Sequence, residues 1–209
     1  MDPRLIPNLL DVSLCLVALF ISVRSFDIYT RNRQFRLFIL GLSMALVSLS
    51  AAADFTSSYI TAIPLHTDWF LYIGQTVGFL FILLSLVQSS ERYLRGLMTF
   101  NIVAFAFLLI LLLLSPVLPD IDSSTRTLFG FSRFIICMLV FLVYFSAYTH
   151  KPLRFSLFMS TAFFFFTVGY LVTVDQFIAP SLSQYLFRDF GDITSVIGLI
   201  VLVAAVSWD

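Results

Sequence analysis

Residues 96–118 read GLMTFNIVAFAFLLILLLLSPVL, a run without one charged side chain. Crossing about 30 Å of hydrocarbon takes about 20 helical residues at about 1.5 Å each. The block FLLILLLL at 107–114 lacks the alternation that a membrane β-strand requires. This stretch is therefore read as a helix that spans a bilayer.

The same reading extends outward in both directions. Apolar runs of spanning length lie at Ile6–Val23, Phe35–Ala53, Phe70–Gln88, Leu128–Tyr148, Phe155–Ile178 and Phe190–Trp208. With Gly96–Leu118 they make seven, and the expected fold is an all-α polytopic membrane protein. It is expected to form a single seven-helix transmembrane domain over residues 1–209. Composition agrees, because a chain of 209 residues that is 60% hydrophobic and 11% charged would carry too much apolar surface for a soluble domain. Twelve basic residues balance twelve acidic ones, which makes nucleic acid an unsuitable partner and the lipid bilayer the natural one. Asp2 and Arg4 cancel at the flank of the first run, Asp11 interrupts it, and no small-x-small site follows. That run reads as a retained helix rather than a signal peptide.

Orientation follows from the basic residues. Arg24, Arg31, Arg33, Arg36, Arg92, Arg95, Lys151 and Arg154 fall in the gaps after the first, third and fifth runs. The other side holds Arg4, Arg126 and Arg188, with Arg133 just inside a run. Basic loops remain cytoplasmic, so the N-terminus is expected outside and the C-terminus in the cytoplasm. The expected location is a prokaryotic inner or plasma membrane. The segment RSFDIYTRNRQFR (24–36) is read as a cytoplasmic turn that sets topology and offers a site for anionic lipid or a cytosolic partner.

Small residues indicate helix packing where no hydrophobic effect drives association. Gly41 and Ala45 head a stripe on the second run, Gly74 and Gly78 form a G-x-x-x-G on the third, and Gly191, Ser195, Gly198 and Ala205 line the seventh. Runs two, three and seven are therefore expected to be the central helices. The Leu-rich fourth, lacking such a stripe, is expected to face lipid or a partner subunit. The oligomeric state is left open by these patterns.

Asp54 and Asp68 bracket one outer gap, and Asp175 and Asp189 bracket another with the same spacing. Spans 1–3 repeated as 5–7 would produce this. That layout resembles the sugar-exporting transporters called SWEETs, although the Pro-Gln pair of the related PQ-loop proteins is missing.

Buried charge carries the functional expectation, since a charged group within a span is costly and usually faces the bundle interior or a wet cavity. Allowing for helix direction, Asp11, Gln75, Arg133 and Asp175 fall roughly 5–8 Å below the outer edge. Asp54, Asp192 and Thr194 lie at or just inside that level. An outward-facing polar pocket is expected from Asp11, Asp54, Gln75, Arg133, Asp175 and Asp192, with ion pairing between helices as the alternative role. Carboxylates outnumber the single guanidinium, which favours a small cation or an amine.

Several chemistries lack their residues. Retinal attachment needs a lysine within a span, and the one lysine, Lys151, is in a gap. Haem between helices needs buried histidines, but His66 and His150 lie outside the runs on opposite sides. An intramembrane serine protease needs a general base beside its serine. Zinc needs a ligand cluster, which Cys15, Cys137 and the two histidines do not supply. No catalytic residues, cofactor or metal are expected. Three function classes remain: a sensory or binding module with a separate output partner, an accessory subunit of a larger membrane complex, and a small transporter. The seven-span layout with an outer polar pocket resembles the membrane-input regions of bacterial signalling proteins.

Overall fold

In a computed structural model the chain is helical throughout the described residues. These comprise backbone 5–59, 66–178 and 184–207, and side chains 12–57, 66–173 and 190–207. The helices are α1 (Leu5–Asn32), α2 (Phe35–Tyr59), α3 (Asp68–Val87), α4 (Glu91–Leu113), α5 (Ser123–His150), α6 (Arg154–Ile178) and α7 (Gln184–Ser207). A 3-10 turn, Ser115–Val117, follows α4. All seven α-helices are long and apolar enough to cross a membrane. Among their apolar windows, α2 is 56% buried, α3 and α7 44% each, and α4 only 17%.

Hydropathy locates the spans but misplaces several helix ends. The segment 24–36 is mostly helix: α1 continues to Asn32 and only Arg33 and Gln34 turn. Asp27 holds the solvated extension by pairing with Arg24 at 3.0 Å and Arg31 at 3.2 Å, partners three and four residues away. Arg33 then stops it in a left-handed conformation, φ 54°, its N–H bonded to the Tyr29 carbonyl at 2.8 Å. The fourth helix starts earlier than expected, at Glu91, and ends at Leu113 rather than continuing to 118. Pro116 is the reason, because it lacks an N–H and its ring clashes with the carbonyl four residues back. At the other end of the chain, α7 starts six residues before the apolar run, at Gln184.

The chain divides into two compact units, Cys15–Ile121 and Met1–Leu14 with Asp122–Asp209. In the first, α1 and α2 approach at Gly41, where a Cβ would lie 3.2 Å from the Ser25 Cβ. Ser48 Oγ donates to the Cys15 carbonyl across the same seam at 2.9 Å. Helices α2 and α3 approach at Gly78, where a Cβ would meet the Ser43 carbonyl at 3.3 Å. Gly74 corrects the sequence reading: a Cβ there would have nothing within 4 Å. Only one glycine of the G-x-x-x-G is needed for close approach, since the other projects past the contact. Ala45 is half-buried on α2.

Helix α4 closes this unit by packing Leu94 and Leu97 against Ile39, and Leu108 against Leu46 and Phe70. Asn101, fully buried, reaches the Ile39 carbonyl at 3.5 Å. The opposite face of α4 leaves Phe100, Phe107 and Leu113 exposed. At the end of α3, two carbonyls without helical partners are met from outside the helix. Arg36 Nε donates to Ser85 at 3.1 Å and the Tyr93 hydroxyl to Leu84 at 3.2 Å. At the other end of the unit, Trp69 Nε1 donates to the Pro119 carbonyl at 2.7 Å, and His66 Nδ1 lies 2.7 Å from Asp120.

Candidate functional site

In the second unit, three helices run alternately up and down, which brings distant residues to one level. Asp122 caps α5, accepting from the Ser124 N–H at 3.2 Å. A short connection at 151–153 reverses the chain into α6. The rings of Phe141 and Phe164, 5.8 Å apart, and of Tyr144 and Phe163, 6.4 Å apart, hold α5 to α6. Helices α6 and α7 meet at small residues. A Cβ on Gly169 would come within 2.8 Å of the Gly191 carbonyl, and one on Gly198 within 2.9 Å of the Ala162 carbonyl. The two contacts are seven residues apart on each helix, a heptad spacing that keeps one seam in register. Ser195 Oγ sits at the centre of that seam, donating to the Gly191 carbonyl at 2.9 Å.

This geometry places the unit's charge. Arg133 lies ten residues into α5, Tyr170 eight residues before the end of α6, and Asp192 eight residues into α7. At about 1.5 Å per residue the three share a layer roughly 12–15 Å from the corresponding helix ends. The Arg133 side chain is buried, and its guanidinium lies over the Tyr170 ring, 4.8 Å from the centroid. The cation faces the negative face of the ring quadrupole, an attraction that strengthens when water is excluded. Asp192, half-buried on α7, acts electrostatically on the same tyrosine, and Cys137 is buried one turn beyond Arg133. Thr194, two residues after Asp192, is buried and donates to the Phe190 carbonyl at 2.6 Å.

The six residues expected in one pocket are divided between the units. Asp11, Arg133, Asp175 and Asp192 belong to the unit containing α5–α7, whereas Asp54 and Gln75 belong to the other. The side chains of Asp11 and Asp175 lie outside the described residues. Gln75 is buried on α3, and Asp54 is half-buried on α2. Tyr170 escaped the sequence reading, as did Gly169. The tyrosine becomes visible only when α5 and α6 are aligned antiparallel; the glycine is hidden within a Phe-rich run. Among the described residues no cluster of His, Cys, Asp and Glu is suited to hold a metal ion.

The layer offers a guanidinium over the ring of a tyrosine, whose phenol is a second polar group, and a carboxylate on the next helix. Such a group can bind and orient a polar ligand or lock three helices together. No known protein family, curated protein or solved structure matches this chain.

Proposed function

We propose that this multi-pass membrane protein is a receptor-like sensory or binding module rather than an enzyme. Its α5–α7 unit takes a polar ligand from the outer face, and a helix shift is passed to a separate partner. The observation that carries this reading is Arg133, a charge kept buried over Tyr170 within otherwise apolar helices. Intramembrane ionisable groups are costly and characteristically mark ligand or ion sites. Asp192, half-buried on α7, is the carboxylate of this unit that would draw a small cation or an amine. A helix seam built on glycine and serine suits a movable element, because small residues permit sliding without a change in side-chain interdigitation.

Thermal unfolding of the purified chain against a panel of alkylamines and diamines tests this. At least one amine should raise the midpoint of the parent, and Asp192→Asn should abolish that rise. A panel that leaves the parent unmoved would overturn the reading.

The exposed face of α4, with Phe100 and Phe107 outermost, supports a second reading as an accessory subunit of a membrane complex. Stable co-purification of large membrane partners through that face would favour it. Net flux of a solute in proteoliposomes would instead favour the transporter reading.

A further inference from the structure

In the Cys15–Ile121 unit the α1–α2 turn and the α3–α4 turn meet at one end. Arg36 begins α2 and bonds to the Ser85 carbonyl near the end of α3. Arg95, in the first turns of α4, lies over the Phe35 ring at 5.7 Å. These contacts, spanning 49 and 60 residues of sequence, bring two segments side by side, and with them their arginines.

The charges there are unequally used. Asp27 pairs with Arg24 and Arg31, and Arg36 is engaged at the end of α3. Arg33, Arg92 and Arg95 are exposed, and among the described residues none of them pairs with a carboxylate. Directly beneath lies an aromatic shelf. Phe26 and Tyr29 pack edge-on against Phe38 at 5.3 and 5.1 Å, and Tyr29 lies 6.3 Å from Phe35. Tyr93 and Phe35 both pack against the buried Ile39, Leu94 and Leu97. Val23, one turn before Phe26 on α1, is exposed and continues the apolar surface along that helix. Cations above amphipathic rings above bare apolar surface match the order of a lipid headgroup, its interface and its chains.

We propose that this end of the unit is a seat for an anionic phospholipid. Its phosphate lies among Arg33, Arg92 and Arg95, and its acyl chains follow the apolar helix surface. Guanidinium groups suit this role because their planar donor forks match phosphate oxygens. A free phosphate would use the arginines but gain nothing from the shelf. The inference does not rest on the ligand reading of the α5–α7 unit.

The test is native mass spectrometry of the full chain released from phosphatidylcholine nanodiscs with and without phosphatidylglycerol. The parent should retain phosphatidylglycerol in preference to phosphatidylcholine. Removing the arginines as Arg33→Asn, Arg92→Gln and Arg95→Gln should lower that preference roughly fivefold for each cation lost. Asparagine is used at 33 because it tolerates the left-handed backbone. A control that removes two cations elsewhere, Lys151→Gln with Arg154→Gln, matches the charge of the double Arg33→Asn, Arg92→Gln variant and should keep the parental preference. Should the triple variant fail to elute as a single helical species, the double Arg33→Asn, Arg92→Gln variant carries the same comparison. The proposal is overturned if a folded variant keeps the parental preference, or if excess inorganic phosphate displaces the retained lipid.

Discussion

Replacing Gly198 with leucine is expected to lower the unfolding midpoint of the purified protein by about 6–12 °C. A Cβ at this position already lies 2.9 Å from the Ala162 carbonyl, a backbone atom that cannot rotate away. A full leucine must therefore push α6 and α7 apart. Overpacking of this kind costs about 3 kcal/mol or more, and in a chain of this length 1 kcal/mol corresponds to about 2–4 °C. Gly74→Ala is the matched control. With nothing within 4 Å of its Cβ, alanine should be neutral or stabilise by up to about 1 kcal/mol, because glycine is a poor residue inside a helix. The two variants separate the observed geometry from the motif, since a G-x-x-x-G alone gives Gly74 the same weight as Gly78. Equal losses at 198 and 74 would refute the α6–α7 seam described here.

The second large effect is expected at Arg133. Apolar replacement of a buried charge can stabilise a protein when the ion pair it removes was barely repaid. We expect the reverse for Arg133→Leu. The substitution removes the cation from the Tyr170 face, an interaction of about 2 kcal/mol when desolvated. It also leaves Asp192 acting on the same layer without it. A fall of about 4–8 °C should follow. Arg133→Lys should recover part of the stability, since an ammonium keeps the charge but not the delocalised, weakly hydrated guanidinium. A leucine variant as stable as the parent would show that Arg133 contributes nothing to the unit.

The seven spans are legible because the bilayer imposes a length on every crossing and tolerates few charges within it. Helix ends are less legible, because hydropathy reports where lipid stops and a helix can continue into water. Asp27 shows this, carrying α1 a full two turns into a polar segment through Arg24 and Arg31. Gly198 could be found from its stripe with Gly191 and Ser195. Gly169 could not, because its only small neighbour at heptad spacing, Ala162, is separated from it by phenylalanines. Arg133 was identifiable from the cost of burying it. Its partner Tyr170 is one of eight tyrosines, and only the antiparallel register of α5 and α6 singles it out. Arg36 illustrates a different gap: as a loop arginine it signals topology, yet its Nε also closes the end of α3, a contact with no sequence signature.

The most direct measurement of the account is the sidedness of the two termini in intact cells. Seven crossings with the arginine-bearing turns inside place an N-terminal tag where an impermeant reagent reaches it and a C-terminal tag where it does not. Both tags reacting, or both protected, would contradict the seven-pass reading, and the reverse pattern would contradict its orientation.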